Sequence, residues 1–157
     1  MTESEGGAGF ELPLLLFAGF RSIIDELHRE LTAHGHPDVR PAYGFALQAV
    51  GQHGASAGEV GRRLGVSKQA AGKTVERLEA LGYVERVDDP QDGRRKLVRL
   101  TSRGTEVLLR SAQGFDRIRA GWVEALGAER VAGIEAGLRA MAPANAFRLD
   151  AAGWFTG

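Results

Sequence analysis

Two short helix signals separated by a single glycine, followed at once by two β-rich runs, constrain this chain more than any other feature. Ser56-Ala57-Gly58-Glu59 is a capping box, in which the hydroxyl and the carboxylate each satisfy a free backbone N–H of a first helical turn. Val60 and Leu64 follow as the buried pair, and Gly65 supplies a turn. Ser67 then caps a second helix reaching to about Leu81, with Ala71, Val75, Leu78 and Leu81 inward and Lys68, Gln69, Gly72, Lys73, Glu76 and Arg77 outward. Gly82 stops it. Tyr83 to Val87 and Lys96 to Leu100 read as strands joined by a charged loop of eight residues, Asp88 to Arg95. Helix, tight turn, helix and hairpin is the winged helix-turn-helix arrangement, in which the second helix enters a major groove and the hairpin reaches along the backbone.

Charge distribution tests that arrangement independently. The whole chain is neutral, with twenty basic and twenty acidic residues. Residues 56 to 103 nevertheless hold eleven basic side chains (Arg62, Arg63, Lys68, Lys73, Arg77, Arg86, Arg94, Arg95, Lys96, Arg99 and Arg103) against seven acidic ones. All three lysines fall there. A neutral chain that gathers its cations on the segment with DNA-binding shape carries the footprint that phosphate contact requires.

The flanks complete a mainly α fold with a small β-hairpin. From Leu12 to about Ala33, Leu16, Phe20, Ile23, Ile24, Leu27 and Leu31 step by three and four, as on one helical stripe. The first half of this helix is apolar nearly all round, because Leu14, Leu15 and Phe17 fall off that stripe, and a second subunit is the natural cover. Ala42 to Gln52 reads as a second, central helix. Thr101 caps a long helix carried by Val107, Leu108, Phe115, Ile118, Trp122 and Leu126, and a last helix carries Val131, Ile134, Leu138 and Met141. Residues 1 to 10 read as a mobile tail. Residues 143 to 157 read as a coil tail whose Trp154 and Phe155 are expected to dock on a neighbour. The expected organisation is a single winged-helix domain over 11–142. Its DNA-binding part spans about 42–103, flanked by N- and C-terminal dimerisation helices over about 12–34 and 102–142.

The stretch from GVSKQAAGKTVERLEALGYVERV to DDPQDGRRKLVRLTSRG closely resembles the MarR family of bacterial transcriptional regulators. That family's wing carries Asp-x-Arg, then Leu-Thr and Gly, matched here by Asp92, Arg94, Leu100, Thr101 and Gly104. The resemblance is densest over about 56–104 and covers roughly 12–142. It implies an obligate homodimer, with the first helix and the last two helices of each chain interlaced, and a cleft between dimer region and winged helix that can take a small ligand. Gly93 departs from the pattern, standing where many members have a basic residue, and leaves wing contacts more heavily to Arg94 and Arg95.

Roles follow from residue type. Ser67, Lys68 and Gln69 start the recognition helix, where side chains and free N–H groups meet phosphates and base edges, and Gln69 can read adenine bidentately. Gly72 lets the helix lie close to the bases, while Lys73 and Arg77 reach phosphate or guanine. Arg94 is the wing residue, with Asp92 expected to orient its guanidinium. Phe17, Phe20, Tyr43, Phe45 and Trp122, with Phe115, are candidates to line an apolar ligand pocket.

Competing chemistries fit less well. Without cysteine the chain has no disulfide, thiolate metal site or thiol nucleophile. Gly54-Ala55-Ser56-Ala57-Gly58 matches G-x-S-x-G literally, yet a helix precedes it where a nucleophile elbow needs a strand, and Glu59 explains Ser56 as a cap. His28, His34, His36 and His53 match no strong metal pattern and read as solvated loop histidines. No catalysis, cofactor or membrane partner is expected. The expected function is a cytoplasmic, homodimeric repressor on a pseudo-palindromic operator of double-stranded DNA, released by a small-molecule effector. The alternative is a winged-helix protein-interaction module that does not bind DNA.

Overall fold

A computed structural model describes residues 8–142. Within them the elements run α1 (Glu11–Ala33), α2 (Pro41–Val50), α3 (Ala57–Leu64), α4 (Lys68–Ala80), β1 (Val84–Asp89), β2 (Asp92–Leu100), α5 (Ser102–Leu126) and α6 (Ala128–Met141). The apolar stripes of α3, α4 and α5 and the inner side of the hairpin meet around α2, while α6 packs on α5. The architecture is mainly α with an antiparallel hairpin, as the periodicity implies. Most of the 1–10 tail, and Trp154 and Phe155, lie outside the described residues.

Local chemistry starts the helices where the sequence places the caps. Ser56 Oγ accepts from the Glu59 N–H, Ser67 Oγ from the Ala70 N–H, and Thr101 Oγ1 from the Gly104 N–H. Gly65 ends α3 with φ 70°, a left-handed conformation that costs glycine nothing. Only half of the expected capping box forms, because the Glu59 carboxylate bonds to Arg95 and to the Ser56 side chain and not to the Ser56 backbone N–H.

Ala46, Leu47 and Val50 of α2 contact no water, and around them pack Val60 of α3, Ala71, Val75 and Leu78 of α4, Tyr83 and Val98 of the hairpin, and Val107 of α5. The hairpin gains a short third edge at Ala55, whose N–H and C=O both bond to Val98. β2 joins α5 through the Leu100-Thr101-Ser102-Arg103-Gly104 sequence. Thr101 Oγ1 donates to the Gly82 carbonyl at 2.6 Å, and the Thr101 N–H donates to the Tyr83 carbonyl at 3.1 Å. A Cβ at Gly104 would overlap that same Tyr83 oxygen, so only glycine lets α5 start this close to the sheet.

Two expectations fail. The segment Asp88–Arg95 is not an open loop: the strands continue to a two-residue tip at Pro90-Gln91. Backbone pairing carries the extension, with Asp88 opposite Lys96 and Asp89 opposite Asp92, and the Lys96 and Asp88 side chains meet across it at 2.5 Å. Nor are the histidines uniformly solvated. His36 is buried at 1% exposure, and His28 on α1 bonds through Nδ1 to the Val39 carbonyl; His34 and His53 are exposed.

Phe10, just before α1, and Leu12, Leu14, Leu15, Leu16, Phe17 and Phe20 on it remain exposed, as do Ile134, Leu138 and Met141 of α6. Between α1 and the α5–α6 pair lies an apolar groove of about 780 Å³, lined by Leu12, Leu16, Phe20, Trp122, Ile134 and Leu138 among others. No helix among the described residues is long and apolar enough to cross a membrane.

Candidate nucleic-acid interface

Helix α4 presents one uninterrupted polar face because its apolar positions are confined to the other. Ala71, Val75 and Leu78 are buried, while Ser67, Lys68, Gln69, Lys73 and Arg77 are exposed and Gly72 lies between them, half-buried. Ser67 uses its oxygen on the Ala70 N–H and keeps its hydrogen for an outside acceptor. A Cβ at Gly72 would meet nothing within 4 Å. The space over Gly72 is therefore a gap in the outer face, not a contact inside the protein.

The wing is shaped by a bulge. Asp88 pairs with Lys96 and Asp89 with Asp92, so Gly93, Arg94 and Arg95 of β2 have no residue opposite them. Such insertions bend a strand and re-aim its side chains. Asp92 Oδ1 accepts from the backbone N–H of Arg94 at 3.1 Å, and Asp89 Oδ1 from that of Gln91 at 2.9 Å. The expectation that Asp92 orients the Arg94 guanidinium is thus corrected. A short aspartate side chain reaches the nearby main chain first and fixes the backbone that carries Arg94.

Cations around this surface fall into two groups. Arg95 is bonded to Glu59 at 2.7 Å, Lys96 to Asp88 and Arg99 to Glu85, and these pairs hold the wing to itself and to α3. Among the described residues no carboxylate lies within ion-pair distance of Lys68, Lys73, Arg77 or Arg94. These four lie on the outer face of α4 and the wing, and Arg62 of α3 and Arg86 of β1 likewise have no carboxylate within that distance among the described residues. The Arg95 guanidinium beside Glu59 holds its carboxyl below the usual range, with Arg63 adding to the effect. Pattern reading missed Glu59 in this role because a capping box already accounted for it.

The aromatic candidates do not gather in one place. A cleft of about 190 Å³ between α1, α2 and α5 is lined by Phe20, Phe45 and Phe115 with Ile23, Leu27, Leu31 and Val39, and by His28, Arg40, Gln48 and Ser111. Trp122 lines the larger α1–α5–α6 groove, which Phe20 also borders. Phe17 and Tyr43 line neither.

Behind the interface lies a polar constellation that the sequence did not disclose. His36 Nδ1 is 3.0 Å from the Tyr83 hydroxyl and Nε2 is 3.2 Å from Glu106 Oε2. Arg103 stacks 4.8 Å over the Tyr83 ring while donating to its hydroxyl and to the Gly35 carbonyl. Burial pushes the Tyr83 phenol up, and the bond from Arg110 holds Glu106 down, with His36 contributing.

A model of the MarR family matches residues 38–95, which span α2, α3, α4, β1 and the start of β2. No curated protein matches the chain. Among solved structures, Streptococcus pneumoniae FabT in complex with DNA superposes with a TM-score of 0.72 at 18% identity, over 85% of this chain and 94% of that one. The reduced form of E. coli MarR superposes at 0.68 with 25% identity, over 84% and 96%. The Streptomyces coelicolor PcaV regulator in complex with its natural ligand superposes at 0.60 with 24% identity, over 88% and 94%.

Proposed function

We propose that this chain, with a MarR-family match over residues 38–95 and the fold of MarR-type regulators, is a sequence-specific DNA-binding regulator of transcription. The observation that carries the reading is the set of unpaired cations, Lys68, Lys73, Arg77 and Arg94, gathered on the outer face of α4 and the wing. Ion pairs elsewhere on the same surface indicate that a nearby carboxylate was available to the fold, yet these four lack one. Their partners are then phosphates and base edges, with Ser67 and Gln69 at the start of the helix and Gly72 admitting the bases. Arg94 reaches the backbone from the wing, on a main chain that Asp92 fixes. Arg95 stands beside it, held by Glu59.

The active form is a homodimer. Among the described residues nothing covers the apolar face of α1 or the exposed side of α6, a second copy would cover both, and that copy places two α4 helices about 34 Å apart on a pseudo-palindromic operator. Occupation of promoter DNA by that dimer makes repression its action. The 190 Å³ cleft joins α1 and α5 to α2 of the winged helix, so a small apolar effector seated there favours one relative placement of the two parts. FabT, seen with DNA, and PcaV, seen with its natural ligand, support the same reading by likeness of fold.

Selection of genomic fragments by the purified chain tests it. Enriched fragments sharing an inverted repeat are expected. Recovery of fragments with no common sequence rejects the regulator.

A further inference from the structure

Glu59 is a carboxylate set among cations. It lies 2.7 Å from Arg95 Nη2 and 3.9 Å from Arg63 Nη2. Across Gly58, whose Cβ position is 3.7 Å from Arg62 Nη1 and 3.9 Å from Lys68 Cδ, two more basic side chains approach. The bond to Arg95 joins residues 36 positions apart and ties the wing to α3. At 49% and 31% exposure, a pair of this kind adds little to folding. Its effect lies on the surface it belongs to.

We infer that Glu59 is a positioning residue that withholds Arg95 from phosphate and so lowers affinity for DNA of arbitrary sequence. The inference rests on the DNA-binding reading above. A cation held by a carboxylate neutralises no phosphate and so releases none of the counterions condensed on the DNA, and that release is what drives sequence-independent binding. The protein thereby keeps a wing arginine in place without letting it add to capture by every duplex, and discrimination is left to α4. Specificity is a difference of affinities, and holding down the non-specific term raises it as surely as a new base contact does.

The test is titration of a random-sequence duplex by fluorescence anisotropy between about 50 and 200 mM salt. Wild type, Glu59→Gln and the double variant Glu59→Gln/Arg95→Ala are compared. Glu59→Gln is expected to bind several-fold tighter, with a log–log salt slope steeper by about 0.9 per subunit. Adding Arg95→Ala is expected to remove both gains. Unchanged or weaker binding by Glu59→Gln overturns the inference, and so does a gain that survives in the double variant, because the charge alone would then explain it. As a check that does not depend on folding of the Glu59 variant, Arg94→Ala is expected to lose more affinity than Arg95→Ala, and equal losses overturn it too. Wild type that binds no duplex at any salt rejects the DNA-binding reading itself; wild type that binds while Glu59→Gln has no effect rejects only this role for Glu59.

Discussion

The imidazole of His36 and the phenol of Tyr83, 47 positions apart in the chain, share a 3.0 Å hydrogen bond with both side chains shut off from solvent. Glu106 accepts from Nε2, and in the neutral imidazole this leaves Nδ1 to accept from the Tyr83 hydroxyl, while Arg103 donates to the phenol oxygen. The chain of donors is complete only with the hydroxyl present. Tyr83→Phe leaves Nδ1 buried without a partner and is expected to cost about 1–3 kcal/mol. For a chain of this size that is a fall in Tm of about 2–4 °C per kcal/mol, measured at fixed protein concentration. An unshifted Tm removes the relay from the account of stability.

Two glycines in helices separate fold from function. Gly104→Ala forces a methyl group onto the Tyr83 carbonyl and is expected to destabilise by about 3 kcal/mol or more. Gly72→Ala meets nothing and gains helix propensity, so its stability is expected to rise by up to about 1 kcal/mol. Its DNA affinity is nevertheless expected to fall, because the new methyl group stands where bases approach. Chemical denaturation and anisotropy on the same samples separate the two effects, and unimpaired binding by Gly72→Ala argues against close approach of α4.

A small part of the acid stability follows from depressed carboxyls, small because these ion pairs are exposed enough for solvent to screen them. Glu59 is held down by Arg95, Glu106 by Arg110 and Glu135 by Arg119, each below the ordinary glutamate value of 4.5. A carboxyl with a lower value in the folded state stabilises above its unfolded value, and the contribution is lost as pH falls through the folded one. Unfolding free energy is therefore expected to be level near neutrality and to decline below about pH 4.5. A decline already complete at pH 6 points to other groups.

Alkali probes the interior. Burial raises the Tyr83 phenol above its ordinary 10.0, so the folded state resists its ionisation and loses stability as pH climbs past that value. Of the two tyrosines in the chain, one is expected to titrate late by ultraviolet absorbance, and Tyr83→Phe to abolish the late phase. A late phase that persists in that variant places it elsewhere.

Much of this was legible in the sequence, for local reasons. Ser56, Ser67 and Thr101 act on an N–H three residues away, and the inward stripe Ala71, Val75, Leu78 follows from helical period alone. What failed depends on distant partners. Asp88 to Arg95 looked like a loop because charged residues have little strand preference, yet pairing of Asp88 with Lys96 carries the ladder onward. His36 looked solvated because its neighbours are Gly35 and Pro37, whereas its surroundings come from residues 47 and 70 positions along. Glu59 had a sufficient local explanation, which hid the bond to Arg95.

The most direct measurement is the salt dependence of binding to a selected operator duplex by wild type and by Lys73→Ala/Arg94→Ala. The account predicts a steep fall in log K with log salt for wild type, and a slope shallower by about 1.8 per subunit in the double variant, one phosphate contact for each cation lost. Identical slopes for the two proteins would contradict it.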